Sequence, residues 1–428
     1  MTSPLDGLPA RPARRRWPPL LLFLLFLPAP CAAQAPAGEA RPAIGFAEAL
    51  EIARQNAPAL RAQRAALAGS SAALPAAATL PDPRLAVGLE SVPVAGPDRW
   101  SATRDTATMQ RIALMQDMPN RAKREAREQL ALARIERDRT ALALAELAVR
   151  RDAALAWTAV HYAEARRAAI DGFVRENRLL QETLAPRIAA GSAAPAELTM
   201  ARQEALAIAD RSDDLARDVN KARAELRRWL GPLGDAPLRG EPPPLVVDAE
   251  VVRAALSRDA ELVPFAPMRA MARADVAEAE AEQRGDWQWE LAYSRRPRYD
   301  DMVSFQVSFE LPWQRDRRQR PLAEARRREI ERIDAERDEA QRRRAAEIDA
   351  MLAELQALDA QAERLARSAE PLAAERVALA LAAYQAGRGD LSAVLAARSQ
   401  VLETRLRALD LDGQRALLRV RLTTLNLE

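Results

Sequence analysis

The sequence predicts a mainly α-helical protein that carries part of a membrane β-barrel. Three observations predict it: very long stretches of helical apolar spacing, four short runs of strict alternation, and an internal duplication that repeats both. Composition agrees, because Ala, Leu, Arg and Glu dominate the 428 residues, as they do in long helices with solvated charged faces. Lys+Arg number 64 against Asp+Glu 61, so the net charge of +3 is small beside the charge density. No nucleic acid or other polyanion is implied as a partner.

The long stretches cover about 121–186 and 321–385, with Ala, Leu and Ile at helical spacing and dense Arg and Glu between them, as in "LALARIERDRTALALAEL" at 130–147. Some 65 residues at 1.5 Å each make a rod of about 100 Å, which cannot fold back into a globule. Antiparallel rods joined at tight turns would instead pack as coiled-coil-like pairs, with small Ala knobs allowing close approach. Shorter helices are expected over about 46–72 and 264–285, ahead of each strand pair.

The alternating runs are about 84–92 (RLAVGLESV), 107–117 (ATMQRIALMQD), 287–295 (WQWELAYSR) and 302–312 (MVSFQVSFELP). Period two puts Trp287, Trp289, Leu291 and Tyr293 on one face of the third strand, and Val303, Phe305, Val307 and Phe309 on one face of the fourth. Ser304, Gln306 and Ser308 take the other face. Leu85, Val87 and Leu89, then Ile112 and Leu114, do the same in the first two strands. A half-buried soluble strand gives the same pattern, so export decides the reading.

Export is written at the N-terminus. Arg11 and Arg14 to Arg16 form a basic region, Leu20 to Leu27 an apolar run, and "CAAQA" offers a cut after Ala33, so residues 1–33 read as a signal peptide. Cys31 leaves with it; a lipidated Cys31 would want a small residue before it, and Pro30 stands there. Past residue 34 no apolar run approaches the ~18 residues of a membrane helix, so a membrane would be crossed by strands. On an exported chain, four strands with one apolar, aromatic-rich face match a transmembrane barrel. Four strands cannot close, and backbone groups in lipid must all be paired, so three copies of four strands would complete a 12-stranded barrel.

A shift of 196 residues lays "GSAAPAELTMARQEAL" at 191–206 over "GRGDLSAVLAARSQVL" at 387–402. A similar shift sets Met118-Pro119 on Leu311-Pro312, and a basic helix start follows each. The Pro/Gly-rich 231–247 reads as a linker between a first repeat, 34–230, and a second, 248–428.

This ordered set resembles the TolC-like outer membrane efflux proteins over essentially the whole mature chain. It includes the turn motifs "RIAAGSAAPAEL" and "AYQAGRGDLSAVL", which look like that family's periplasmic helix tips. The resemblance implies a homotrimer in the bacterial outer membrane, in contact with outer-membrane lipid, whose barrel continues into a long α-helical periplasmic barrel. It implies a periplasmic adaptor and an inner-membrane pump, with the RND type as one option, and a passive exit duct without a cofactor. It places adaptor docking on the tips, at Gly191, Ser192, Gly387, Arg388, Gly389, Asp390 and Leu391. It places a gate at Glu197 and Tyr384, an acid on one tip and a Tyr on the other. A pair of aspartates that narrows the pore in the best-known member is replaced by Ala393 and Ala396, which leaves Asp390 and Glu197 as acids for a constriction.

Enzymatic chemistry has little to work with, since His161 is the single histidine and Cys31 the single cysteine. Met109, Met115 and Met118 are the candidates for soft-metal contact, because thioethers suit Cu(I); gap-filling in a barrel explains them equally. The strand approaches "PDPRLAVGLE" and "DMPNRAKR" look similar to outer-membrane partners of heavy-metal exporters, so heavy-metal efflux is one expected setting. Drug or organic solute export, or type I secretion, through the same duct is the alternative. A periplasmic coiled-coil scaffold without a pore is the rival from another class; it leaves the four strands unexplained.

Overall fold

The computed structural model describes residues 43–426; the predicted signal peptide and Cys31 lie outside the described residues. The first element is a two-residue strand, β1 (Ile44–Gly45), which leads into α1 (Phe46–Asn56) and α2 (Pro58–Ala78). The one helix expected over 46–72 is thus two. Pro58 disfavours helical geometry at the residue before it, and Ala57 is extended at φ −61°, ψ 116°. Strands β2 (Arg84–Glu90) and β3 (Met109–Met118) follow, then α3 (Arg121–Ala189) and α4 (Pro195–Leu230). Strand β2 stops short of residue 92 because Ser91 turns the chain at φ 59°.

The linker holds β4 (Leu238–Arg239), and the second repeat runs α5 (Ala249–Ala254), α6 (Phe265–Ala281), β5 (Trp287–Arg295) and β6 (Met302–Phe309). It ends with α7 (Arg320–Arg364), α8 (Glu370–Gln385) and α9 (Leu391–Thr423). A π-helical turn, Arg315–Gln319, opens α7, and a second, Leu365–Ala369, joins α7 to α8. The rod expected over 321–385 is therefore present with a widened turn inside it. Among the described residues, no helix is long and apolar enough to cross a membrane.

Helix α3 is the spine. At 69 residues it is about 100 Å long, and α1, α2, α4, α6 and α9 all pack along it. Apolar burial is correspondingly divided into small clusters. Ala53, Leu60 and Val149 form one, and Ile44, Trp157, Val160 and Leu226 the next. Ile170, Ile208, Leu215 and Leu402 follow, and Leu184, Ala201, Leu391 and Val394 lie nearest the tips. The second repeat adds Ile348, Leu355, Leu411 and Leu418. Buried residues of α3 recur at Ile170, Asn177 and Leu184, and those of α4 at Ala201, Ile208 and Leu215. That is the seven-residue repeat of a coiled-coil seam.

The predicted linker 231–247 is stapled at its start. Strand β4 pairs parallel with β1, Ile44 opposite Leu238, and Arg223 donates to the carbonyls of Gly234 (2.9 Å) and Ala236 (2.6 Å). The Trp157 indole N–H donates to the Ile44 carbonyl at 3.3 Å.

The four longer strands form one antiparallel sheet in the order β2-β3-β5-β6. Pairing of β3 with β5 joins the repeats, and β2 and β6 are its edges. Asp286, just before β5, accepts the Asn120 backbone N–H (2.9 Å) and the Lys123 ammonium (3.1 Å), fixing the start of α3 to the sheet. The turn into β5 passes so close to the end of β6 that a Cβ on Gly285 would lie 1.8 Å from the Glu310 carbonyl oxygen. Gly285→Ala is expected to lower stability by about 3 kcal/mol, the upper range for overpacking. The measurement is the thermal unfolding midpoint beside that of Gly172→Ala, a helical site where an added Cβ meets nothing within 4 Å.

Candidate functional site at the sheet and the helical tips

Register sorts the sheet into two chemically different faces. On one, Val87 pairs with Ile112, Leu85 with Leu114, Leu114 with Leu291, Ile112 with Tyr293, Leu291 with Phe305, Trp289 with Val307 and Trp287 with Phe309. Val303, Phe305 and Phe309 are 71%, 67% and 69% exposed, Trp287, Leu291 and Tyr293 less so, and Trp289 and Val307 are half-buried. An apolar patch spanning four strands is far more than a monomeric soluble protein leaves open. All eight predicted apolar positions of β5 and β6 lie on this face.

The other face carries Arg84, Glu90, Arg111, Asp117, Gln288, Glu290, Ser304, Gln306 and Ser308. Arg111 bridges Glu90 at 2.6 Å and Glu290, and Arg84 pairs with Asp117 at 2.8 Å. Met109 and Met115 stand on this polar face, six residues apart, while Met118 stands on the apolar one. The strand therefore separates the three thioethers instead of gathering them. Among the described residues no group of three His, Cys, Asp or Glu side chains could hold a metal ion. His161 stacks on Trp157 at 5.6 Å between ring centroids, and burial pushes its pKa down, as suits a neutral packing residue.

At the far end of the rods the two tips are copies of one turn. Ser192 N–H donates to the Arg187 carbonyl and Gly191 N–H to that of Ile188; in the second tip Arg388 donates to Ala383 and Gly387 to Tyr384. These are Schellman motifs, and each places its glycine in the left-handed region, Gly191 at φ 69° and Gly387 at φ 68°. The helices that leave the turns are capped differently. The Glu197 side chain accepts the Ala194 N–H at 3.1 Å, whereas Asp390 accepts Ala393 N–H at 2.9 Å and the Ser392 hydroxyl at 2.7 Å. Leu391 is buried at the head of α9. Close approach also explains Gly389, where a Cβ would meet that of Ala383 at 3.1 Å.

The two predicted gate residues meet within one protomer: the Tyr384 hydroxyl donates to the Glu197 carboxylate. Sequence reasoning missed their third partner. Arg187 donates to the Tyr384 oxygen at 3.3 Å and sets its guanidinium 5.7 Å from the ring centroid. Burial pushes the Tyr384 phenol above its ordinary range, and the hydrogen bond to Glu197 adds to the shift.

A second polar node, also missed, sits farther up the rods. Asn177, 2% exposed, donates to Glu204 at 2.6 Å and to the Ala201 carbonyl at 3.1 Å, and accepts from Gln181 at 2.6 Å. Arg398 reaches Glu176 at 2.6 Å. Burial raises the pKa of Glu204, against the Asn177 hydrogen bond and the Arg398 charge. A polar residue breaking the heptad row between Ile170 and Leu184 was the available signal.

As a whole, this arrangement of long helices, one four-stranded sheet and two helical tips superposes on several solved structures. The fold is TolC-like. The outer membrane protein VceC of Vibrio cholerae matches with a TM-score of 0.73 at 16% identity, over 90% of this chain and 97% of that one. CusC, whose crystal structures follow transmembrane channel formation, matches with a TM-score of 0.72 at 17% identity over 90% and 92%. The CmeC outer membrane channel of Campylobacter jejuni gives a TM-score of 0.72 at 11% identity over 89% and 84%. By sequence, no protein-family model and no curated protein matches the chain.

The Asn177 node makes a prediction. Asn177→Ala leaves the half-buried Glu204 carboxylate with one donor fewer, and is expected to lower stability by about 1–3 kcal/mol. Chemical denaturation of the purified protein measures it. Because burial raises the Glu204 pKa, the loss should be largest above the ordinary carboxylate range, where Glu204 ionises, and should shrink as pH falls.

Proposed function

We propose that three copies assemble into an outer membrane duct, in which twelve strands close a barrel and the long helices continue it as a tunnel through the periplasm. One observation carries the reading. A sheet with one exposed apolar face and two edges stands at the end of rods about 100 Å long; lipid would cover the face, and neighbouring copies would pair the edges. The likeness to VceC, CusC and CmeC supports the same reading. In it the polar face lines the lumen, the tips dock a periplasmic adaptor, and energy is supplied by an inner-membrane pump. A pore-less scaffold gives the apolar face no role.

The cargo follows less directly. The heavy-metal setting rests on the resemblance of the strand approaches, since the methionines do not form a ligand set; drugs or organic solutes need no such set. A deletion strain challenged with copper and with dyes separates the two, sensitivity to copper alone supporting the metal.

The barrel assignment is tested by a pair of variants. Val307→Arg puts a charge on the lipid face at about 2–4 kcal/mol near the midplane, whereas Ser308→Arg puts it in the lumen at little cost. Heat-modifiable trimers in isolated outer membranes should be depleted only in the first variant; equal assembly of both contradicts the assignment.

The tip contact reads as the gate. Tyr384 donating to Glu197, with Arg187 against the same phenol, holds the two tips of one protomer together, and three copies bias the end toward closure. Tyr384→Phe, which removes only the hydroxyl, is expected to raise single-channel conductance or open probability in planar bilayers. The sign with pH follows from the raised phenol. Its contribution is complete below the ordinary phenol range near 10 and is lost as pH rises through the higher folded value. Wild-type conductance should therefore climb toward the Phe variant only at strongly alkaline pH.

A further inference from the structure

The two basic helix starts that repeat after each strand pair have different fates. In the first repeat three of the four cations at 121–127 pair internally: Lys123 with Asp286, Arg127 with Glu278 and Arg121 with Glu125. In the second, "WQRDRRQR" at 313–320 carries four arginines and one acid. Asp316 pairs with Arg320. Arg315, Arg317 and Arg318 are all exposed and form no ion pair among the described residues. They stand in the π turn that leads into α7, whose one acid, Asp316, is taken by Arg320. Among the described residues nothing in the protomer pairs with their charge, so a return has to come from outside it.

Their position suggests the return. Met118, Trp287 and Phe309 lie at one end of the sheet, the end where the helices begin. Beyond Phe309 the apolar series continues through Leu311 and Trp313, 64% and 86% exposed. An exposed Trp followed at once by free arginines is the profile of a chain leaving hydrocarbon through a headgroup layer. Guanidinium groups bind phosphate through paired hydrogen bonds and stay charged at any pH of interest.

We propose that Trp313, Arg315, Arg317 and Arg318 form a headgroup belt that binds the phosphates of anionic phospholipids in the membrane leaflet nearest the helices. The proposal rests on the channel reading, since it needs the apolar sheet face in lipid. The belt would fix how deep the sheet sits and would hold the sheet-to-helix junction of the second repeat, as Asp286 holds that of the first.

Purified trimer in uncharged detergent is titrated with short-chain phosphatidylglycerol and, separately, phosphatidylcholine, followed by native mass spectrometry. Phosphatidylglycerol should bind more tightly, and the preference should fall as salt rises. The triple variant Arg315→Gln/Arg317→Gln/Arg318→Gln should weaken it about a hundredfold, at roughly fivefold per arginine. Arg202→Gln/Arg342→Gln/Arg376→Gln, which removes the same charge from exposed helical positions, should leave it unchanged. Equal binding of both lipids by the wild type, equal weakening by both triple variants, or competition by millimolar inorganic phosphate would overturn the belt. The salt dependence is read on the wild type, so a misfolded variant does not shelter the idea. Absence of heat-modifiable trimers in the wild type would instead sink the channel reading.

Discussion

A helix of 69 residues has a long stripe to bury and no interior of its own to bury it in. Everything else in the protomer answers that constraint. Helix α6 meets α3 near Arg127, α2 and α1 near Val149, α4 from Trp157 onward and α9 near Ile170. The chain must therefore travel the rod repeatedly, and a duplicated unit does so with one pattern used twice. Small residues dominate the contacts: Ala49, Ala53, Ala153, Ala163, Ala201 and Ala397 are all buried. They let helix axes approach, at the cost of apolar area per contact. Many weak contacts over a great length replace a few strong ones at a centre.

The elements most legible in the sequence were those whose periodicity is a property of the backbone. Strand β5 is bounded correctly by sequence because Trp287 to Arg295 alternates without a break, and the start of α3 agrees as well, though the helix runs to Ala189 and not to 186. The tip glycines were legible as well, since only a left-handed turn makes both necessary. Ends and interruptions were not. Strand β6 stops at Phe309 because β5, its partner, begins at Trp287, and no residue of β6 announces that. The break at Ala57 follows from Pro58, whose ring disfavours helical geometry at the residue before it. The π turns depend on helix packing, and nothing in "RDRRQ" or "LARSA" identifies them.

The tip contact divides in the same way. Glu197 and Tyr384 were found by matching a family pattern, and their hydrogen bond follows from that match. Arg187 has no counterpart in the second tip, where Ala383 takes its place, so the repeat that revealed the glycines concealed the arginine. Asn177 was hidden for another reason: one polar residue in a charge-dense helix looks ordinary until its neighbours along the heptad are known to be buried.

The division of burial into separate clusters has a mechanical consequence. Among the described residues, Leu184, Leu391 and Val394 near the tips and Trp157, Val160 and Leu226 belong to separate buried clusters with that of Ile170 and Leu402 between them, the outer two some 40 Å apart along α3 at 1.5 Å per residue. A deformation at one end thus spends its energy on the cluster it disturbs and does not propagate as a loss of the whole. The molecule behaves less like a block than like a row of clasps, in which the last can be undone while those nearer the sheet stay fastened.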